Sequence, residues 1–420
     1  RARALIGTQN EDGLLQEAQS LWTVGQSQPS ECDPVFAWLD DNDGITPVLA
    51  WERVRLAMQA GNPRFTLYLA RFIPAKERVW LRRWQELDRK RYRDLGKTAD
   101  WPDQELTRTI TAVSLQRLAG RDPDQAWQAF KNIESHFNWP ADARAGIVRE
   151  IALQAAVDLS DITPEVMDRL PGSYRDDQLL QWWARKALTD DDWPALNAVI
   201  AQMPPETRSD ARWRYWQAEA LERTGSPEQA GKIRDGLSRE PNYYGFLGAD
   251  HLQRPYSICP LEPAVSSEAI EELRRLPGIS RALELRLAGL ESWALSEWSL
   301  AVSRLDIEGL RAAAALAREE NWHDRAIFSL GDSGDLRYYD WRFPVLWEQQ
   351  VSAESALNKL DPSWVHGVMR SESALAESAR SSAGALGLMQ ITPATATRLA
   401  RKHGLAYRGR EQLKDADLNI

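Results

Sequence analysis

The sequence predicts an all-α protein, a superhelical array of helix pairs, and three observations carry that prediction. From Glu11 to about Ala249, stretches of helical period follow one another between Gly and Pro residues, with almost no alternating strand pattern. The run Gly120, Asp122, Pro123, Asp124, Gln125, Ala126 is echoed by Gly225, Ser226, Pro227, Glu228, Gln229, Ala230. The two prolines are separated by close to three repeats of roughly 34 residues, the period of stacked helix pairs.

Taken in order, the elements are punctuated by helix-start chemistry. Asp122 and Ser226 read as N-caps, each with Pro at the first helical position and Gln at the third, a capping-box arrangement. Further Pro-led starts stand at Trp139-Pro140 and Thr163-Pro164. Helix pairs of this kind bury their apolar faces only against their neighbours and stack into a curved array. The chain has 19 Trp. Trp182, Trp183, Trp213 and Trp216 fall within helical patterns and read as wedges between helices, with sugar stacking as the alternative use of an indole face.

A break comes after His251, where Pro255, Cys259, Pro260 and Pro263 interrupt the pattern. Helices resume from Glu268 to about Asn321, and an aromatic stretch from Tyr338 to Trp347 leads into the last part. These breaks divide the chain into segments 1–254, 255–342 and 343–420.

Composition excludes several classes. A net charge of −9 leaves no basic face for nucleic acid. The last sixty residues carry 8 Lys and Arg against 6 Asp and Glu, a mildly basic end suited to an acidic polymer. No apolar run approaches the roughly 18 residues of a membrane span, and the N-terminus carries no signal peptide. At 420 residues the chain is long enough to bury roughly three quarters of its surface, so neither a metal nor a disulfide framework is required. Cys32 and Cys259 lack metal-ligand spacing and read as separate buried thiols or as disulfide partners. No cofactor is expected.

The chemistry concentrates near the end. Val365, Val368, Met369 and Glu372 fall at i, i+3, i+4 and i+7, so Glu372 continues an apolar stripe. Burial favours the protonated form of a carboxyl group, which a general acid needs. On spacing alone such a Glu is more often a surface residue. Ser381 to Gln390 is a small-residue loop that lets backbone approach a ligand, and Thr392-Pro393 restarts a helix as N-cap and first position.

Glu372-Ser373, followed by Gly387-Leu388-Met389-Gln390 and Pro393, resembles the paired motifs of bacterial lytic transglycosylases with a goose-lysozyme-like catalytic domain. Trp213 to Trp216, Tyr243 to Leu247 and Arg342 to Pro344 are similar to stretches of the large soluble members of that family. The resemblance implies an α-superhelical ring over 1–254, a helical linker over 255–342 and the N-terminal part of a lysozyme-like catalytic domain over 343–420. It makes Glu372 the sole catalytic acid and base, oriented by Ser381. Ser373 and the Gly387 to Gln390 run would contact glycan. Asp417 to Ile420 resembles the start of a third motif, so that domain is expected to be C-terminally incomplete, and a chain beginning at Arg1 reads as processed or as a fragment. It also implies that Cys32 pairs with a cysteine upstream of Arg1.

The function implied by the resemblance is cleavage of peptidoglycan glycan strands and muropeptides in the periplasm, with cell-wall synthesis proteins as further partners. The acidic residues after Glu372 are Glu377, Glu411, Asp415 and Asp417. Glu377 is rotated about 140° from Glu372 on an ideal helix, and the others sit in a polar stretch, so no second catalytic carboxylate is evident. Two other readings stay open: a lysozyme-like muramidase using water, and a helical binding scaffold with an inactive catalytic remnant.

Overall fold

The computed structural model describes residues 13–258, 260–262, 264–334 and 337–420. Among them the regular structure is helical, and the only β pairing is a pair of isolated bridges at Leu386. Cys259 and Pro263 lie outside the described residues; Cys32 is a free, half-buried thiol. No described helix is long and apolar enough to cross a membrane. The chain divides into two compact units, residues 1–233 and 234–420.

In the first unit each helix packs on its neighbours in sequence. Glu105–Ala119 lies against Pro123–Ile133 and Ala141–Val157, which in turn contacts Asp177–Thr189, followed by Trp193–Gln202 and Ala211–Arg223. That succession is the helix-pair stacking the repeats predict. Trp22, Trp84, Trp127 and Trp213 are fully buried within it. Trp127 donates its Nε1–H to Glu165 at 2.8 Å and stacks on Phe130. Trp182, Trp183 and Trp216 are partly buried against the same cores, as wedges should be.

The Pro-led starts form where expected. Asp122 is the N-cap of Pro123–Ile133, its carboxylate accepting from the Gln125 N–H at 2.8 Å. The reciprocal half of the capping box is not made there. Asp122→Ala is expected to destabilise this unit by about 1 kcal/mol, measured by chemical denaturation, because the Gln125 donor loses its partner.

In the second unit the helices Ser267–Arg274, Pro277–Leu287, Glu291–Val302, Ile307–Glu319 and His323–Ser333 share one core around Trp298 and Trp322. Ala312 to Ala317 is buried on every face, which small side chains permit when helices close in from several directions. Ile327 on the last of these helices enters a second core with Val351, Val365, Met369 and Leu388. The helix carrying Glu372 therefore stands on the packed linker helices of its own unit.

Candidate active site

The helix Pro362–Ser373 begins where local chemistry dictates. Asp361 caps it by accepting from the Ser363 N–H at 2.7 Å, and Pro362 occupies the first position. Val365 and Met369 are buried against Val351 and Leu388. The buried row continues through Ser373, at i, i+4 and i+8, leaving Glu372 at its shoulder and exposed. The expectation of a carboxyl group buried in an apolar stripe is thus corrected: the core is packed by the Val365, Met369 and Ser373 row and by Ala374 and Leu375, and Glu372 lies off that row. Among the described residues no hydrogen bond or ion pair is made by Glu372.

Ser373, expected to contact glycan, faces inward in the structure. Its hydroxyl donates to the Met369 carbonyl at 2.9 Å and accepts from the Leu375 N–H at 3.1 Å. It closes the helix end, a local side-chain bond of the kind Ser makes in preference to another helical turn. Ala374 and Leu375 come next, with φ of 51° and 68°. Two consecutive non-glycine residues in the left-handed region cost of order 1–2 kcal/mol each, offset here by burying both side chains. This turn presents Glu372 at the end of a rigid helix.

The loop after it is built around its own backbone. Leu386 exchanges both backbone bonds with Ile391 at 3.0 and 3.1 Å, and the Gly387 N–H reaches the Ala379 carbonyl at 3.0 Å. Gly387 has φ of 78°, and a Cβ there would run into the Leu413 carbonyl oxygen and the Asn419 side chain. Only glycine fits. The Gln390 amide donates to the carbonyls of Gly387 and Ala379 at 2.9 and 3.2 Å. Leu388 is fully buried in the core beneath the helix, and Met389 is half-buried beside it. The side chains of Leu388 and Gln390, expected to line the glycan site, are used to build the loop. Ser381 accepts from the Ala385 N–H at 3.0 Å and makes no hydrogen bond to Glu372. Thr392 caps Pro393–His403 as expected, accepting from the Thr395 N–H at 3.3 Å.

Asn419 is the functional residue that sequence reasoning left out of the site. Buried at 2% exposure, it donates to the carbonyls of Leu413 and Leu386 at 2.6 and 3.1 Å and accepts from the Met389 N–H at 2.6 Å. One side chain thereby locks the Gly387 to Met389 turn. Its only signal in the sequence is its place in the third motif.

Two cavities flank the Glu372 helix. One, of about 350 Å³, is lined by Trp322, His323, Asp324, Trp347, Leu375 and Glu377. The other, of about 250 Å³, is lined by Phe343, Ser363, His366, Arg370 and Leu375. Burial, reinforced by Arg318, pushes the His323 imidazole below its ordinary value, so it stays neutral more readily. Burial and then the neighbouring Arg342 lower Arg370, whose Nε–H donates to the Arg342 carbonyl at 2.7 Å. Glu372 and the Gly387 to Gln390 run line neither cavity.

Residues 272–335 match the soluble lytic murein transglycosylase L domain, and residues 350–420 match the transglycosylase SLT domain. Over those two segments the chain is similar to soluble lytic transglycosylases. Proteins named soluble lytic murein transglycosylase in Salmonella typhimurium and Escherichia coli K12 are each 27% identical to it, over 97% and 96% of this chain. It spans 63% of the length of each. In structure it is similar to an inactive glutamate-to-glutamine mutant of the lytic transglycosylase of Pseudomonas aeruginosa, with a TM-score of 0.90 and 27% identity over 100% of this chain and 68% of that one. The 70 kDa soluble lytic transglycosylase of Escherichia coli gives a TM-score of 0.84 at 25% identity with the same coverage. That 70 kDa enzyme type has also been solved in complex with bulgecin A, and that structure matches with a TM-score of 0.82.

Proposed function

We propose that this chain acts in a peptidoglycan lytic transglycosylase that cleaves the β-1,4 bond between N-acetylmuramic acid and N-acetylglucosamine without water. The observation that carries the reading is an isolated carboxylate. Glu372 lies in the last turn of a helix anchored by Val365 and Met369, makes no hydrogen bond or ion pair among the described residues, and falls within the segment that matches the transglycosylase SLT domain. A hydrolase of the usual kind places a second carboxylate roughly 5 to 9.5 Å from the first. The acidic residues that follow Glu372 in the sequence, Glu377, Glu411, Asp415 and Asp417, show no helical spacing that puts one on its face, which supports a nucleophile supplied by the substrate.

In this mechanism the Glu372 carboxyl proton passes to the glycosidic oxygen as its bond to the muramic acid C1 breaks. The resulting carboxylate then takes the proton of the muramoyl C6 hydroxyl as that oxygen attacks C1. The product is a 1,6-anhydro ring, and Glu372 returns to its starting form. Exposure of Glu372 in the free chain leaves desolvation to the bound glycan, whose packing would displace water and favour the neutral acid. The inactive glutamate-to-glutamine relative is consistent with one essential glutamate. Gly387 and Met389 supply the turn against which a sugar would rest, while Ser381 needs to exchange its bond to Ala385 if it is to orient Glu372.

The segments 1–254, 255–342 and 343–420 are proposed as superhelical, linker and catalytic parts. Action on murein supports a periplasmic location, and the proposal includes muropeptides as products and cell-wall synthesis proteins as further partners in turnover and remodelling. Mass spectrometry of products from purified peptidoglycan tests the reading. Anhydro-muropeptides from the protein at its full natural length are expected. Reducing muramic acid ends would move it to the muramidases, and the absence of product would favour a scaffold.

A further inference from the structure

We infer that the first unit carries a separate saccharide-binding site on the helices Pro47–Gln59, Arg78–Arg89 and Glu105–Ala119. These helices enclose a cavity of about 690 Å³, within the range of small-ligand sites, lined by Trp51, Trp80, Trp84 and Val48 among others. The proposal rests on no part of the role given to Glu372.

Two partly exposed indoles at one cavity, Trp51 and Trp80, supply flat apolar faces on which the C–H side of a pyranose ring packs, with the buried Trp84 behind them. The polar groups between them suit hydroxyls. Glu77 accepts the Trp51 Nε1–H at 2.8 Å through Oε2, which fixes the Trp51 ring and leaves Oε1 to accept from a ligand. Glu105 lines the cavity from the first turn of its helix and is exposed. Trp84 is 0% exposed and forms the floor of the cavity, so its indole N–H reports on packing there.

Charge narrows the class. Glu52 is held by the Arg55 fork at 2.6 and 2.8 Å, so that pair cancels, while Glu77 and Glu105 remain. The carboxylates exclude an anionic ligand, and the sharing of donors with acceptors favours a neutral polyhydroxylated one over an amine. Val48, 80% exposed at the cavity's edge, gives a means of closing it without touching the core.

The test is nuclear magnetic resonance titration of the whole chain with a soluble β-1,4-linked tetramer of N-acetylglucosamine. The Trp51 and Trp84 indole N–H signals are followed, assigned by Trp51→Phe and Trp84→Phe. Both signals are expected to shift saturably, and Val48→Arg to weaken the apparent affinity at least tenfold. If Trp84→Phe does not fold, the Trp51 signal decides alone. Signals unmoved by millimolar sugar, or an affinity equal in Val48→Arg, would overturn the site. A response to an alkylammonium ion but not to the sugar would overturn the saccharide class.

Discussion

Glu372→Gln in the protein at its full natural length is expected to lower peptidoglycan cleavage by about 10³-fold or more, the upper range for loss of a group that serves as both acid and base. Thermal unfolding should not change. The side chain is exposed and makes no hydrogen bond or ion pair among the described residues, so the amide replaces the carboxyl without leaving a buried group unsatisfied. The combination separates chemistry from folding. Parental turnover would remove Glu372 from the mechanism, and loss of activity together with a lowered melting temperature would make it a structural residue.

Gly387→Ala has the largest expected effect on stability. Its φ of 78° costs an alanine about 1 kcal/mol, and overpacking against backbone adds about 1–3 kcal/mol. The clash falls on the Asn419 amide, so the bonds from Asn419 to Leu386, Leu413 and Met389 are disturbed as well. Each buried group left unpaired costs about 1–3 kcal/mol. A total near 4 kcal/mol is expected in the denaturation transition of the second unit. Asn419→Ala should cost roughly 3 kcal/mol by the same loss of bonds. The double variant should fall well short of the sum, because both changes break one network. Additive effects, or a Gly387→Ala chain within 1 kcal/mol of the parent, would mean that the turn is not locked as described.

The helices and their order were legible because their starts are local. Asp122-Pro123 and Thr392-Pro393 each combine a capping oxygen with a proline that needs no donor, and the structure begins a helix at each. Tryptophans at helical spacing became wedges for the same reason: a large apolar side chain within an amphipathic pattern has a neighbour to pack against.

The site was less legible, and Glu372 shows why. Periodicity gives an approximate face but not which of two adjacent rows packs. The row through Val365, Met369 and Ser373 is the buried one, so Glu372, beside it, reaches solvent. Ser373 and Gln390 look like ligand-facing polar residues in sequence. Their hydroxyl and amide are consumed by carbonyls nearby in the chain, a competition that no spacing rule registers. Asn419 is the converse case, a short polar side chain that gathers backbone groups from Leu386, Met389 and Leu413, segments brought together only by the fold.

The central claim is that the sugar itself, not water, attacks C1 while Glu372 moves the proton. Digestion of purified peptidoglycan by the protein at its full natural length in water enriched in heavy oxygen tests this most directly. The account predicts muramic acid ends that carry no heavy oxygen and are all in the anhydro form; ends labelled at C1 would show that water is the nucleophile and contradict it.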